Sequence, residues 1–210
     1  DNMLVNVIAP QIANAGNGFD ICHQAAAVQL AGFSPAGGTW SGTNVSATGL
    51  FDPLTTGPIV LTYSLGSGTC LVSDTIHILV NPLPMVFAGQ PQETCVNNGV
   101  YTISGFIPAT GGTWSGPGIL NPNQDLFDPV TAGVGLHTLI YSYTDLSTGC
   151  SDTSHLQIIV RPAPVSLFNI PGLVCRYSLV NPINQSNGAN SYSWNFGDGV
   201  NSSLTSPIHA

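Results

Sequence analysis

GGTWSG at residues 37–42 returns unchanged at residues 111–116, and the echo extends well past the hexamer. LFDPLTTG at 50–57 answers LFDPVTAG at 126–133. LTYSLGSGTC at 61–70 answers LIYSYTDLSTGC at 139–150, and IHILVNPLP at 76–84 answers LQIIVRPAP at 156–164. Cys22 falls opposite Cys95, and Cys70 opposite Cys150. A period of about 75–80 residues is too long for a solenoid repeat and suits a tandem domain. Between Gly42 and Phe51 lie 8 residues, and between Gly116 and Phe127 lie 10; between Ser64 and Cys70 lie 5, and between Ser142 and Cys150 lie 7. Each insertion is two residues. In a strand or hairpin an even insertion keeps every later side chain on its original face, whereas an odd one turns the core outward. The echo reads as one sandwich architecture used twice rather than a duplicated ligand loop.

Short runs of aromatic and β-branched residues, such as VYTI at 100–103 and TLIYSY at 138–143, are separated by Gly, Pro, Asn and Ser. That pattern predicts an all-β chain of tandem immunoglobulin-like β-sandwich domains in an elongated array. In the second repeat it places strands at 100–105, 112–115, 136–144 and 153–161, with shorter ones near 85–88 and 126–128. Trp114, like Trp40, falls in the short strand after the first long one and is expected in the core, the alternative being a sugar-stacking platform. The expected divisions are 1–8 as the end of a preceding repeat, 9–82 and 83–162 as the two full repeats, and 163–210 as an incomplete third domain. The joints NPLP at 81–84 and RPAP at 161–164 favour stiff, extended connections.

Only 6% of the 210 residues are charged, against about 25% in an average soluble domain. There is no lysine; Arg161 and Arg176 are the only arginines, and the net charge is −8. Phosphate neutralisation, and with it nucleic-acid binding, is excluded, as is adhesion to an anionic membrane. No run is long enough for a transmembrane helix, and residues 1–20 lack the pattern of a signal peptide. No membrane insertion and no cofactor are expected.

Five cysteines in a repeat-matched pattern predict two disulfides within the repeats, Cys22–Cys70 and Cys95–Cys150, with Cys175 unpaired; buried free thiols are the alternative. Such bridges imply an oxidising compartment outside the cytoplasm. His23, His77, His137, His155 and His209 do not recur at matching positions, and no local signature supports a catalytic triad, so no enzyme is expected. Asp52 and Asp128, in the paired FDP, are read as turn formers before proline rather than calcium ligands. Asn44, Asn184 and Asn201 begin N-x-S sequons, a weak glycosylation signal here.

SYSWNFGDGVNSSLTSPIHA at 191–210 resembles the start of a PKD domain, through Trp194, Phe196, Gly197, Asp198 and Gly199, then Ser203, Pro207 and His209. The resemblance places Trp194 in a core, and Asp198 with Gly199 in a tight turn, itself a good local turn signal. The two full repeats, through GGTWSG, FDP followed by TG or AG, YSYTD with TGC, and the closing I-V-x-P-x-P, resemble the tandem immunoglobulin-like repeats of very large surface adhesins exported by the type 9 secretion system of gliding bacteria. YSLGSGTC in the first repeat departs from that pattern, lacking the Tyr-Thr-Asp of 143–145. Asp74-Thr75-Ile76 resembles an O-glycosylation signal of the same bacteria. The resemblance implies a non-enzymatic structural segment at the bacterial cell surface, with a cell-surface or glycan receptor as partner. Low surface charge adds the expectation of other copies of itself packing side by side. The alternative is a spacer or carbohydrate-binding module of a secreted hydrolase.

Overall fold

GPIVLTYSL at 57–65 and VSDTIHILVN at 72–81 alternate apolar and polar residues, which in an extended chain gives one dry and one wet face. The computed structural model describes residues 11–170 and 172–210, and Gly57–Leu65 and Val72–Asn81 are both long strands. The expected end of a preceding repeat at 1–8 lies outside the described residues.

The first repeat contains β1 (Phe19–Cys22), β2 (Val28–Gln29), β3 (Thr39–Gly42), β4 (Leu50–Phe51), β5 (Gly57–Leu65) and β6 (Val72–Asn81). One sheet has the order β1-β6-β5-β3, with β1 parallel to β6 and the other pairs antiparallel. β2 and β4 pair separately. Leu30 and Phe51 from the β2–β4 side meet Trp40, Leu61, Tyr63, Ile76, Ile78 and Val80 from the large sheet in one core.

The second repeat contains β7 (Gln92–Cys95), β8 (Tyr101–Thr102), β9 (Thr113–Ser115), β10 (Leu126–Phe127), a helical turn α1 (Pro129–Ala132), β11 (Gly135–Thr144) and β12 (Ser151–Arg161). Its sheet order is β7-β12-β11-β9, again with a parallel edge, β7 against β12, and again with a two-stranded partner, β8 with β10. Ile103, Phe106, Trp114, Phe127, Leu139, Tyr141, Leu156, Ile158 and Val160 are buried. Each repeat is therefore an immunoglobulin-like β-sandwich with the same strand order. Beyond them lie two short antiparallel pairs, β13 (Phe168–Asn169) with β14 (Ile183–Asn184) and β15 (Trp194–Asn195) with β16 (Asn201–Ser202).

The chain forms two units that interleave in sequence: one runs to Phe87 and takes in Ile107–Gly112 and Ser142–Ser154, and the other holds Ala88–Phe106, Thr113–Tyr141 and His155–Ala210. Among the described residues no helix is long and apolar enough to cross a membrane.

The repeated hexamer is a packing device. Gly38 lies against the ring of Tyr63, where a Cβ would sit 2.5 Å from Cζ. Its N–H donates to the Tyr63 hydroxyl at 2.9 Å, and that hydroxyl donates to the Pro35 carbonyl at 2.6 Å. Trp40 then fills the core between Phe33, edge-on at 5.7 Å, and Tyr63, tilted at 5.1 Å. Phe106, Trp114 and Tyr141 repeat the trio at 5.4 Å and 4.9 Å. Gly42 and Gly116 close the hexamer at φ 135° and 130°, with Leu61 and Leu139 where a Cβ would lie.

Two details differ from expectation. Near 85–88 there is a single bridge, Phe87 to Ile107, while the parallel edge strands β1 and β7 come in addition to the expected strands. FDP also differs between repeats. Asp128 caps α1, accepting from the Val130 N–H at 3.0 Å and the Thr131 hydroxyl at 2.6 Å, with Pro129 following and Gly133 ending the turn at φ 80°. Asp52 begins no helix; the Leu54 N–H bonds back to its carbonyl at 2.9 Å. The extra Val134-Gly135 of the second repeat accommodates the helical turn.

Candidate functional site

The cysteines fall at opposite ends of each sandwich. Cys22 ends β1 opposite Asn81, the last residue of β6, and Cys95 ends β7 opposite Arg161, the last residue of β12. Both have the same backbone frame. The next N–H bonds across to the strand end at 2.8 Å (His23 to Asn81, Val96 to Arg161), and a tight turn follows (Ala25 to Cys22 at 3.2 Å, Asn98 to Cys95 at 3.0 Å). Cys70 and Cys150 sit at the other end, in the hairpins that lead into β6 and β12. Cys70 ends a 3-10 turn, Gly68–Cys70, and its N–H donates to the Ser67 carbonyl at 3.2 Å, whereas the Cys150 carbonyl accepts from the Asp145 N–H at 2.9 Å. Both cysteines stand just before the last long strand of their repeat, Cys70 exposed and Cys150 buried.

A strand of this length carries the chain about 30 Å at roughly 3.3 Å per residue, far beyond the roughly 4.4–6.8 Å between Cα atoms that a disulfide spans. The expected bridges Cys22–Cys70 and Cys95–Cys150 are thus replaced by one bond, Cys22–Cys150, across 128 positions, with Cα atoms 5.5 Å apart. It joins the β1 end of the first repeat to the hairpin of the second, inside the unit that contains both. Cys70 and Cys175 are free and exposed, and Cys95 is free and half-buried. The corrected pairing still calls for an oxidising compartment. The missed signal is the parallel edge strand, which puts the first cysteine at the far end of the final strand.

Polar contacts stiffen both kinds of end. The Asp145 carboxylate accepts from the Ser147 hydroxyl at 2.7 Å and its N–H at 2.8 Å, which holds it below the usual carboxylate range. Beside Cys95, Arg161 grips Glu93 with two bonds, 2.5 Å and 3.3 Å, and the hydrogen bond from Arg161 likewise depresses Glu93.

A second feature is a cleft of about 410 Å³ lined by Phe168, Tyr192, Trp194, Ser186, Ser191 and Asn195. Trp194 is only half-buried, a correction to its expected place in a core. The reason is local: β13–β14 and β15–β16 are two-stranded pairs, and the exposed Leu167, Phe168, Ile170 and Ile183 do not close over it. Its indole N–H donates to the Leu204 carbonyl at 2.8 Å and its ring meets Phe168 at 5.4 Å. Asp198 and Gly199 form a turn in which Asp198 accepts from the Val200 N–H at 3.0 Å. That bond, and after it the one with His209, lowers the Asp198 pKa. His209 stacks on Phe196 at 4.1 Å and bonds Asp198 at 2.9 Å, so the motif residues converge. Among the described residues no three His, Cys, Asp or Glu side chains gather where they would hold a metal.

No protein-family model and no curated protein matches the chain. Among solved structures it is similar to a SusE-like surface-located polysaccharide-binding protein of the heparin utilisation locus of Bacteroides thetaiotaomicron, at 8% identity over 80% of this chain, with TM-score 0.41. This chain spans 35% of that protein. Human protocadherin-24 EC1-2 aligns at 11% identity over 75% of this chain and 100% of the other, with TM-score 0.32. The N-terminal eight Ig domains of Down syndrome cell adhesion molecule align at 9% identity over 71% of this chain and 25% of theirs, with TM-score 0.34.

Proposed function

We propose that the chain is a non-catalytic structural segment of a large extracellular surface adhesin of the type 9-secreted kind, from a gliding bacterium, in which sandwich repeats are joined covalently. The observation that carries this reading is the Cys22–Cys150 bond. A disulfide within a repeat protects only that repeat, whereas one between repeats resists pulling the array apart. An attachment protein under tension needs the second property. The repeat motifs and the W-N-F-G-D-G stretch at 194–199, which resembles the start of a PKD domain, support the same class. Side-by-side packing of copies is part of the reading: the exposed residues of edge strands β3 and β9 are Thr39, Ser41, Gly42, Thr113 and Ser115, with no charge to guard them. Antibody against residues 9–162 should label intact cells of the source bacterium, and deletion of the gene should reduce attachment. Label confined to permeabilised cells would overturn the reading.

A glycan-binding role is the second reading, supported by the cleft at Trp194. An aromatic face offers stacking to the C–H side of a sugar ring, while Ser186, Ser191 and Asn195 offer hydroxyl and amide partners. Oligosaccharides should then quench tryptophan fluorescence in the wild type and not in Trp194→Ala. Equal quenching in both would remove this reading.

A further inference from the structure

In each repeat a cleft opens along the seam between the parallel edge strand of the large sheet and the first strand of the small one. In the first repeat it measures about 220 Å³ and is lined mostly by carbon, from Phe19 on β1, Val28 on β2, Leu30 and Ile76. In the second it measures about 480 Å³ and is lined by Gln92, Glu93 and Thr94 of β7, the turn residues Asn98 and Gly99, and Tyr101 of β8. Counting from the equivalent Cys22 and Cys95, Phe19 becomes Gln92, Ile21 becomes Thr94, Ala25 becomes Asn98 and Val28 becomes Tyr101. Phe19 and Ile21 pack against the core of the first repeat. Four apolar positions have thus become hydrogen-bonding ones on the same strand frame, and apolar burial is given up there.

The new polar groups are held in place. The Tyr101 hydroxyl donates to Gln92 Oε1 at 3.3 Å, and Asn98 Nδ2 donates to Thr94 Oγ1 at 2.9 Å. Each bond uses one donor and one acceptor, which leaves the Gln92 amide N–H groups and the Asn98 Oδ1 for a ligand. The Tyr101 ring is half-buried and tilted on Phe127 at 5.6 Å, and burial raises its pKa, so its hydroxyl stays a donor. The Glu93 carboxylate is tied to Arg161 by bonds of 2.5 Å and 3.3 Å, and no cation lines the cleft. We propose that this cleft is a binding site for a neutral saccharide. A sugar ring presents hydroxyls that both donate and accept, matching the two amides, and a C–H face, matching the Tyr101 ring. An anionic sugar meets a carboxylate there and no partner for its charge. The volume of about 480 Å³ falls within the roughly 300–1,000 Å³ of small-molecule sites. The site goes beyond the attachment reading and is independent of the Trp194 cleft, since all its residues lie in the second repeat and within one unit.

The test is NMR of the isotope-labelled 210-residue chain, titrated with D-glucose, D-galactose, N-acetyl-D-glucosamine, D-glucuronate and a short uncharged Thr-Val peptide with blocked ends. The peptide is included because β7 is a sheet edge that an extended strand could extend. At least one neutral sugar should shift the side-chain amides of Gln92 and Asn98 and the Gly99 N–H saturably, at millimolar concentration, and bind more tightly than D-glucuronate. The amide of Gln29, at the first repeat's seam, should not move, and Trp194→Ala should bind as the wild type does. Gln92→Phe and Asn98→Ala, which install the first repeat's residues, should each weaken binding about tenfold or more. Thermal unfolding of each variant checks that it is folded, and Gln92→Leu serves if Gln92→Phe is not. No saturable shift at these three residues with any of the neutral sugars would overturn the proposal. So would tighter binding of D-glucuronate, equal shifts at Gln29, loss of binding in Trp194→Ala, unchanged binding in either seam variant, or a response along β7 to the peptide alone.

Discussion

Trp114 has no exposed surface, and it touches Phe106 and Tyr141 in the centre of the second sandwich. Its indole N–H, like that of Trp40, has no hydrogen-bond partner. An unpaired buried donor costs about 1–3 kcal/mol. Burying an indole removes about 150–250 Å² from water, which at about 25 cal/mol per Å² is worth roughly 4–6 kcal/mol. Burial therefore outweighs the lost bond, and both tryptophans act as bulk. Trp114→Ala is expected to lower stability by about 3–5 kcal/mol in denaturant unfolding; a loss below about 1 kcal/mol would contradict a core role. At the same scale, Asp74 accepts from the Ala15 N–H at 2.8 Å, and that bond lowers its pKa from the ordinary 3.8. Because the folded value is the lower one, its contribution is present above the unfolded pKa and is lost only as pH falls through the folded one. An NMR titration of Asp74 should have its midpoint below 3.8; a midpoint at or above that value would remove the bond from the account.

At the scale of elements, the hexamer and the hairpins carry the fold. Gly38→Ala pushes a methyl into the Tyr63 ring and should cost about 1–3 kcal/mol, as overpacking does, with little effect on the second repeat's own unfolding signal. Asp128→Ala should speed amide exchange at Val130 by freeing α1, while the first repeat, which has no helix at Asp52, stays unchanged. The long strands were legible because β5, β6, β11 and β12 alternate over nine or more residues with one buried face. Trp40 and Trp114 were legible because the repeat fixed their register. β1 and β7 were not, because FDIC and QETC are four residues long at a sheet edge, with too little burial to leave a period. α1 had a readable signature in Asp-Pro followed by Gly four residues after the proline, but the first repeat uses the same letters without a helix. That difference comes from a two-residue insertion beyond the motif.

At the scale of the whole molecule, the repeat was read from sequence and its covalent joint was not. Matching spacing says which cysteines are equivalent, and nothing about whether equivalents face each other. Strand direction decides that, and the parallel edge reverses the answer. Two consequences separate the pairings. Cys150→Ala should destabilise the unit that holds the bond by about 2–4 kcal/mol. Cys95→Ala should change the monomer by no more than about 0.5 kcal/mol. The most direct test is peptide mapping of the non-reduced, monomeric protein. The account predicts one linked peptide pair containing Cys22 and Cys150, with Cys70, Cys95 and Cys175 as free thiols; linked pairs Cys22–Cys70 and Cys95–Cys150 would contradict it.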